Sequence, residues 1–168
     1  AFITRGGITP LLQTLKELEG RGIPGRILTT DYLTFSDPAA LDTLAGLSNV
    51  ELRMYQTERA GNGFHTKGYI FQNKEEYRFI IGSSNLTQDA LTRNMEWNTR
   101  LVSTDKGEVL TSVLKEFDKL WNSAEFTKTY DEFIEDYRRK YKEKQLFDKM
   151  VAEQKKIAKK FLILKNLI

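Results

Sequence analysis

Residues 64–85 have the sequence FHTKGYIFQNKEEYRFIIGSSN and contain the only histidine of the chain. Two β-rich runs, residues 64–71 and 77–81, flank the polar segment QNKEE, which predicts a β-hairpin. Side chains alternate along a strand, so His65 and Lys67 should share one face about 7 Å apart. A Gly-Ser-Ser-Asn turn closes the stretch. The stretch therefore predicts a hairpin that carries a histidine and a lysine on one side.

The residues before this hairpin alternate between strand and helix patterns. Residues 26–30 and 50–55 predict strands, and residues 2–4 could end another. The Thr-Pro pair at residues 9–10 and the Asp-Pro pair at residues 37–38 are helix-start signals. This rhythm with short connections predicts a parallel sheet covered by helices.

Strand and helix patterns continue after the hairpin, where a short helix is expected near Thr87. Residues 95–102, MEWNTRLV, alternate as a strand does, which assigns Trp97 to the core. Asp105 resembles the cap of a helix that runs through residues 109–121, with Glu108 three residues after it.

The composition changes near residue 127, where aromatic residues at helical spacing enter a charged background. We therefore expect one domain over residues 1–125 and a helical extension, or a linker to a missing domain, over residues 126–168. The basic run at residues 138–160 is interpreted first as a solvated helix face and second as a nucleic-acid contact. The apolar end, FLILKNLI, is expected to pack on the domain or on another chain.

The composition excludes several classes of site. The 168 residues include no cysteine, which rules out disulfides, thiolate zinc sites and cysteine nucleophiles. No stretch approaches the roughly 18 apolar residues of a membrane span, and no P-loop pattern occurs. The start, AFITRGG, lacks signal-peptide features and resembles a sequence entered in mid-strand. We expect a truncated cytoplasmic chain whose net charge of +3 gives weak support for a polyanionic partner.

The residues around the histidine suit phosphoryl transfer. The imidazole of His65 can attack phosphorus, and the ammonium of Lys67 can neutralise phosphate oxygens. Ser83 and Asn85 in the glycine turn could donate further hydrogen bonds. A nucleophilic histidine needs a partner for its second ring nitrogen, and Glu96 is the candidate carboxylate.

Each residue also has an ordinary interpretation. Taken singly, a strand histidine is a core or surface residue, a lysine is a surface residue, and Ser84 or Asn85 could cap the next helix. Tyr69 and Phe71 are assigned to the core or to a site wall rather than to base stacking. The order and spacing of the whole set favour a site.

Three short motifs resemble the signature of the phospholipase D superfamily. They are His-x-Lys at residues 65–67, Gly-Ser-x-Asn at 82–85 and Asn-x-Glu-x-Asn at 94–98, within a resemblance that covers roughly residues 1–122. More narrowly, the chain resembles the nuclease-like domain at the N-terminus of certain bacterial superfamily II helicases and restriction-type proteins. The resemblance implies an α/β fold, an α-β-α sandwich with a mixed sheet, followed here by C-terminal helices.

The resemblance also implies a role for each residue. His65 would form a phosphohistidine, Lys67 and Asn85 would bind the phosphate with help from Ser83, and Glu96 would hold the histidine ring. No metal or cofactor is required. The family builds one active site from two such motifs, so a chain with one motif is expected to form a homodimer around a shared site.

Two departures from the family pattern stand out. Gln72 occupies the position of the family's aspartate, and Asp89 does not replace it. The interval from there to the glycine is longer than the family's by three residues, as expected if the hairpin loop has grown. Three functions therefore stay open: a phosphodiesterase acting on nucleic acid, mainly DNA; a phospholipid-processing enzyme; or an inactive nucleic-acid-binding module. The first is favoured, with a helicase motor on the same full-length chain as a possible partner and no membrane.

Overall fold

The computed structural model describes residues 1–104 and 107–165, with side chains up to residue 159. The strands are β1 (Gly25–Thr30), β2 (Val50–Tyr55), β3 (Gly68–Asn73), β4 (Glu76–Gly82), β5 (Asn98–Thr104) and β6 (Thr127–Thr129). The α-helices are α1 (Arg5–Ile8), α2 (Leu12–Gly20), α3 (Pro38–Ala45), α4 (Thr57–Ala60), α5 (Gln88–Thr92), α6 (Glu108–Trp121) and α7 (Tyr130–Lys165). Short 3₁₀ turns occupy Thr9–Leu11 and Tyr32–Thr34.

The first sheet has the strand order β1–β2–β6. β1 and β2 run parallel, with Gly25 opposite Val50, and β6 pairs antiparallel with β2. The strands predicted at residues 26–30 and 50–55 are therefore confirmed, and so is the α/β class with a mixed sheet.

Helix α3 and the first turns of α7 pack against this sheet and against each other. Leu41 and Leu44 of α3 share one buried apolar cluster with Phe133 and Tyr137 of α7. The hydroxyl of Tyr137 donates a buried hydrogen bond of 2.8 Å to the carbonyl of Ser36. The first turns of α7 thus belong to the core.

The helix-start signal at the Asp-Pro pair is confirmed. The signal at the Thr-Pro pair is wrong, because the first helical stretch begins before it. Asp37 caps the first turn of α3 with its carboxylate, as the Asp-Pro pair predicted. The first helical stretch instead begins at Arg5, where Thr4 Oγ1 accepts a hydrogen bond from Gly7 N. Thr4 has the extended backbone that a cap requires, whereas Thr9 is already helical, with φ −49° and ψ −49°.

The second sheet is antiparallel and has the order β3–β4–β5. Phe79 at its centre lies opposite Ile70 and Leu101 and is 1% exposed. The predicted hairpin is confirmed, but its first strand begins directly after Lys67. His65 and Lys67 therefore lie in the loop before the strand, and their placement on the strand itself was wrong.

The strand predicted at residues 95–102 is displaced towards the C-terminus, so that Glu96 and Trp97 precede β5. Trp97 is 91% exposed, and its assignment to the core was wrong. Its backbone explains this: Trp97 N donates to Ser83 Oγ and its carbonyl accepts from Ser83 N, both at 3.0 Å. The peptide of Trp97, and not its indole, contacts the fold. Phe71 is also exposed.

An isolated parallel bridge connects Ile3, in the segment before α1, to Leu86, in the segment after β4. Leu86 N donates to Phe2 O at 2.9 Å, and Thr4 N donates to Leu86 O at 3.0 Å. A Cβ on Gly7 would lie 2.0 Å from Leu86 O, so glycine is required for this approach. The segment predicted to end a strand forms this bridge.

Two predictions concern residues outside the described part of the chain: the capping role of Asp105 and the packing of the FLILKNLI segment. The helix predicted at residues 109–121 is confirmed as α6, with Gly107 in the cap position. No helix in the described ranges is both long and apolar enough to cross a membrane.

Truncating Phe133 should test whether α7 belongs to the core. Phe133→Ala removes a side chain that is 3% exposed, so the free energy of unfolding should fall by about 3–5 kcal/mol. Phe147→Ala on the same helix removes a side chain that is 65% exposed and should cost less than about 0.5 kcal/mol. Urea denaturation of both variants measures this, and equal stabilities would contradict the packing.

Candidate active site

The loop before β3 brings His65 and Lys67 together. Lys67 O accepts a hydrogen bond from Gly82 N at 3.4 Å, which keeps the loop beside the end of β4. Lys67 Nζ lies 3.0 Å from both Nδ1 and the carbonyl oxygen of His65. His65 is exposed, whereas Lys67 is only 5% exposed. The predicted proximity is therefore present, although a loop rather than a strand provides it.

The environment of the Lys67 ammonium group works against its charge. Burial lowers the pKa of Lys67, and the carboxylate of Glu96 partly offsets this effect by favouring the charged form. Because an ammonium group can only donate hydrogen bonds, its contact with His65 uses the lone pair of an unprotonated Nδ1. A phosphate oxygen that replaced Nδ1 as the acceptor would release that lone pair.

The glycine turn is held by the start of β5. A Cβ on Gly82 would lie 2.2 Å from Trp97 O, so glycine is needed where β4 and β5 approach most closely. Asn98 Nδ2 donates to Ser84 Oγ at 2.7 Å, and Ser84 N donates to Asn98 Oδ1 at 3.4 Å. Both polar atoms of the Asn98 side chain therefore bond to the turn and hold it in place.

Asn85 is oriented by the segment that forms the Ile3–Leu86 bridge. Its Oδ1 accepts a hydrogen bond of 2.9 Å from Phe2 N, so its amide NH₂ group is the end that can donate to a bound anion. It does not cap the next helix, because Thr87 Oγ1 accepts the capping hydrogen bond from Ala90 N.

Glu96 faces the turn. Ser83 Oγ donates a short hydrogen bond to its carboxylate, and Asn94 Nδ2 donates a second at 3.4 Å. Within the described residues, no hydrogen bond joins Glu96 to His65. The structure thus brings Glu96 to Ser83 and near Lys67, and its role in holding the histidine ring stays a prediction.

Tyr69 forms a wall of the site. Its hydroxyl donates to Ser84 O at 3.0 Å. Burial raises the pKa of Tyr69, and the negative charge of Glu96 raises it further. The residue therefore stays a neutral phenol at neutral pH, as suits a structural wall.

Phe2 is a site residue that sequence analysis missed. Its ring contacts the ring of His65 edge to face, with centroids 6.4 Å apart and an interplanar angle of 74°. Lys67 Nζ lies 5.8 Å from the centroid of the same ring, within cation–π range. No local pattern marks Phe2, because it reaches the site through a contact that is distant in sequence.

Gln72, at the family's aspartate position, lies away from the site. It lies four residues after Gly68, the first residue of β3, which is roughly 13 Å along the strand. Its Nε2 donates to Lys74 O at 3.1 Å at the hairpin end. The described residues contain no group of three or more potential metal ligands.

A histidine, a lysine and a Gly-Ser-x-Asn turn lie close together in this α/β domain. A family model described as "Cardiolipin synthase, PLD-like domain" matches residues 8–121. This match spans more than half of the chain, which therefore belongs to the phospholipase D-like family. The predicted superfamily is confirmed. A search of curated proteins gave no match.

The lowered pKa of Lys67 predicts how anion binding depends on pH. As the pH rises through that pKa, the ammonium group loses its proton and its attraction for an anion. As the pH is raised, binding of inorganic phosphate should therefore weaken before the pH reaches about 10.4, the ordinary pKa of lysine. The guanidinium in Lys67→Arg stays charged, so binding should persist to higher pH. Phosphorus NMR titrations of both proteins measure this, and identical pH profiles would contradict it.

Proposed function

We propose that this chain is a phosphodiesterase domain that cleaves nucleic acid, in the first place DNA, through a phosphohistidine at His65. The observation that carries the proposal is the 3.0 Å contact between Lys67 Nζ and His65 Nδ1. A cation in that position can hold a phosphate oxygen while the adjacent ring nitrogen faces phosphorus. Asn85 and Ser83 lie on the turn that closes the site.

The first step displaces the leaving group. The lone pair of a His65 ring nitrogen forms the N–P bond, and the P–O bond to the leaving oxygen breaks, with its electron pair going to that oxygen. The leaving oxygen takes a proton from a general acid, which in the homodimer proposed below is the second His65. Lys67 stabilises the charge on the phosphoryl oxygens during this transfer.

The second step hydrolyses the phosphohistidine. Water attacks phosphorus and gives a proton to the group that protonated the leaving oxygen, the N–P bond breaks, and its electron pair returns to the ring of His65. The products are a phosphomonoester and the free enzyme. In this proposal Glu96 orients the ring, as the family resemblance implies, and its charge also supports the ammonium of Lys67.

The surface of α7 supports a polyanionic substrate. Its ion pairs involve the residues of its first turns, such as Arg138 and Arg139. Farther along, Lys142, Lys149 and Lys155 are exposed, and none forms an ion pair with a described residue. Lysines of this kind bind phosphate backbones without reading sequence. The resemblance to helicase-linked nucleases extends the proposal to a helicase motor on the same full-length chain.

A second candidate function uses the same chemistry on phospholipid. The description of the matching family model, which names cardiolipin synthase, favours it. A third is a binding module that has lost catalysis, which the departure at Gln72 favours. These alternatives differ in what the protein cleaves, so one assay separates them.

The decisive assay offers an oligonucleotide, a generic phosphodiester and a phospholipid to the protein in the presence of EDTA. Cleavage of the oligonucleotide should persist in EDTA, because His65 supplies the nucleophile. His65→Ala should lower the rate by about 10⁴ or more. Gln72→Ala, a matched polar truncation on β3 away from the site, should leave the rate within a factor of about 2.

Activity that is lost in EDTA and restored by magnesium would contradict the covalent mechanism. Cleavage of phospholipid alone would assign the second function. Binding of the oligonucleotide without any cleavage would assign the third.

We also propose that the active form is a homodimer around one shared site. In-line displacement needs an acid for the leaving oxygen, and this chain has one histidine. A two-fold axis would supply a second His65 opposite the first. Met95 and Trp97, which flank Glu96, are 98% and 91% exposed, and a partner at this rim would cover both.

A charge at this rim should separate the protomers. Trp97→Arg is expected to shift the protein from dimer to monomer and to lower the cleavage rate with it, because it places a charge in an apolar contact. Val109→Arg replaces another exposed apolar side chain, on the helix that follows the opposite end of β5, and should change neither property. Analytical ultracentrifugation measures the state. A fully active monomer at all concentrations would contradict the dimer.

A further inference from the structure

The segment after β1 exposes apolar side chains close to the site. Tyr32, Leu33 and Phe35 are 37%, 54% and 46% exposed. The segment lies at the carboxyl end of a parallel strand, the end at which α/β sheets place their ligands. Such exposure costs free energy in water and calls for a function.

Phe2 connects this segment to His65. The ring of Phe2 stacks on Tyr32, with centroids 6.3 Å apart and an interplanar angle of 7°, and it contacts Phe35 at 5.0 Å. The same ring meets the His65 ring edge to face. We call Phe2, Tyr32 and Phe35 the aromatic ledge. It extends from the proposed nucleophile to the solvent.

The backbone of the segment is strained. Leu33 and Thr34 both have positive φ angles, 51° and 49°, in the left-handed region that side chains with a Cβ disfavour. Thr34 N donates to Asp31 O at 2.9 Å, and the buried carboxylate of Asp31 accepts two bonds of 2.7 Å from Thr57. Strain of this kind, held by buried hydrogen bonds, is typical of ligand-contacting segments.

Helix α7 braces the ledge from the other side. Lys144 Nζ donates to Leu33 O and lies 4.3 Å from the centroid of the Phe35 ring. Tyr137, on the same helix, donates to Ser36 O at 2.8 Å. The rings therefore stand in fixed positions, with a cation beside them, before any substrate arrives.

We propose that the aromatic ledge stacks an unpaired nucleobase next to the scissile phosphate, and so selects single-stranded over duplex nucleic acid. This inference rests on the proposed function of the site. Exposed flat rings beside cations stack bases of any sequence, and a duplex keeps its bases in its own stack.

Binding, rather than cleavage, tests this inference, so that its failure differs from a failure of the phosphodiesterase proposal. Fluorescence anisotropy is measured with the full chain carrying His65→Ala, on a single strand, its duplex, and an abasic strand with the same backbone. Tyr32→Ala and Phe35→Ala should each weaken single-strand binding by about 10-fold or more. Neither substitution should change the affinity for the abasic strand, because that strand has no base to stack on the ring.

Phe71→Ala is the matched control, because Phe71 is 58% exposed on β3 outside the ledge, and it should bind as the parent does. Tyr32→Leu keeps apolar volume without a flat ring, and it should lose affinity as Tyr32→Ala does while its melting temperature stays unchanged. Single-strand binding that depends on Tyr32 supports the inference even if no cleavage is observed.

Three results would overturn it. They are equal losses on abasic and normal strands, tighter binding of the duplex than of the single strand, or full retention of single-strand affinity in Tyr32→Ala and Phe35→Ala. Binding to vesicles of phosphatidylglycerol tests the alternative that the ledge contacts lipid. If Tyr32→Ala weakened vesicle binding and left oligonucleotide binding intact, the ledge would be a lipid contact and the inference would be wrong.

Discussion

The arrangement of this site depends on the short parallel bridge between Ile3 and Leu86. Its hydrogen bonds connect the end of the antiparallel sheet, which carries the glycine turn, to the segment that packs beside the mixed sheet. The Asn85 side chain adds a further bond to Phe2 N. Gly7 makes the approach possible, since any Cβ there would collide with Leu86 O. The site therefore forms where the segment before α1 meets the turn after β4.

The same junction decides the electrostatics of the site. Lys67 is taken out of water beside Phe2, Glu96 partly offsets the cost of burying its charge, and Nδ1 of His65 lies 3.0 Å from its ammonium group. A charge in this state gains more from an anion than an exposed lysine does, because less water competes for it. His65, by contrast, is open to solvent, as the proposed nucleophile for a large substrate would need to be.

Local pattern was enough to predict most of the secondary structure and the proximity of His65 and Lys67. The hairpin, the first two strands and α6 follow from short-range alternation, and the His-x-Lys and Gly-Ser-x-Asn motifs follow from spacing. Two of the misses share one physical cause, which is a contact between residues distant in sequence. Trp97 fits a strand by alternation, but backbone bonds to Ser83 hold it in a turn before β5. Phe2 enters the site through a long-range bridge, which no local window contains.

The C-terminal helix shows how one element can serve both stability and the site. Its first turns bury Phe133 in the core, and the next turns place Lys144 against the Leu33 carbonyl and the Phe35 ring. Because the anchored turns and the bracing lysine lie on one continuous helix, the strained segment after β1 draws its rigidity from the core. The strain at Leu33 and Thr34 would otherwise relax, and the rings beside His65 would lose their fixed positions. The helix therefore helps to hold in place the surface that we propose contacts the substrate.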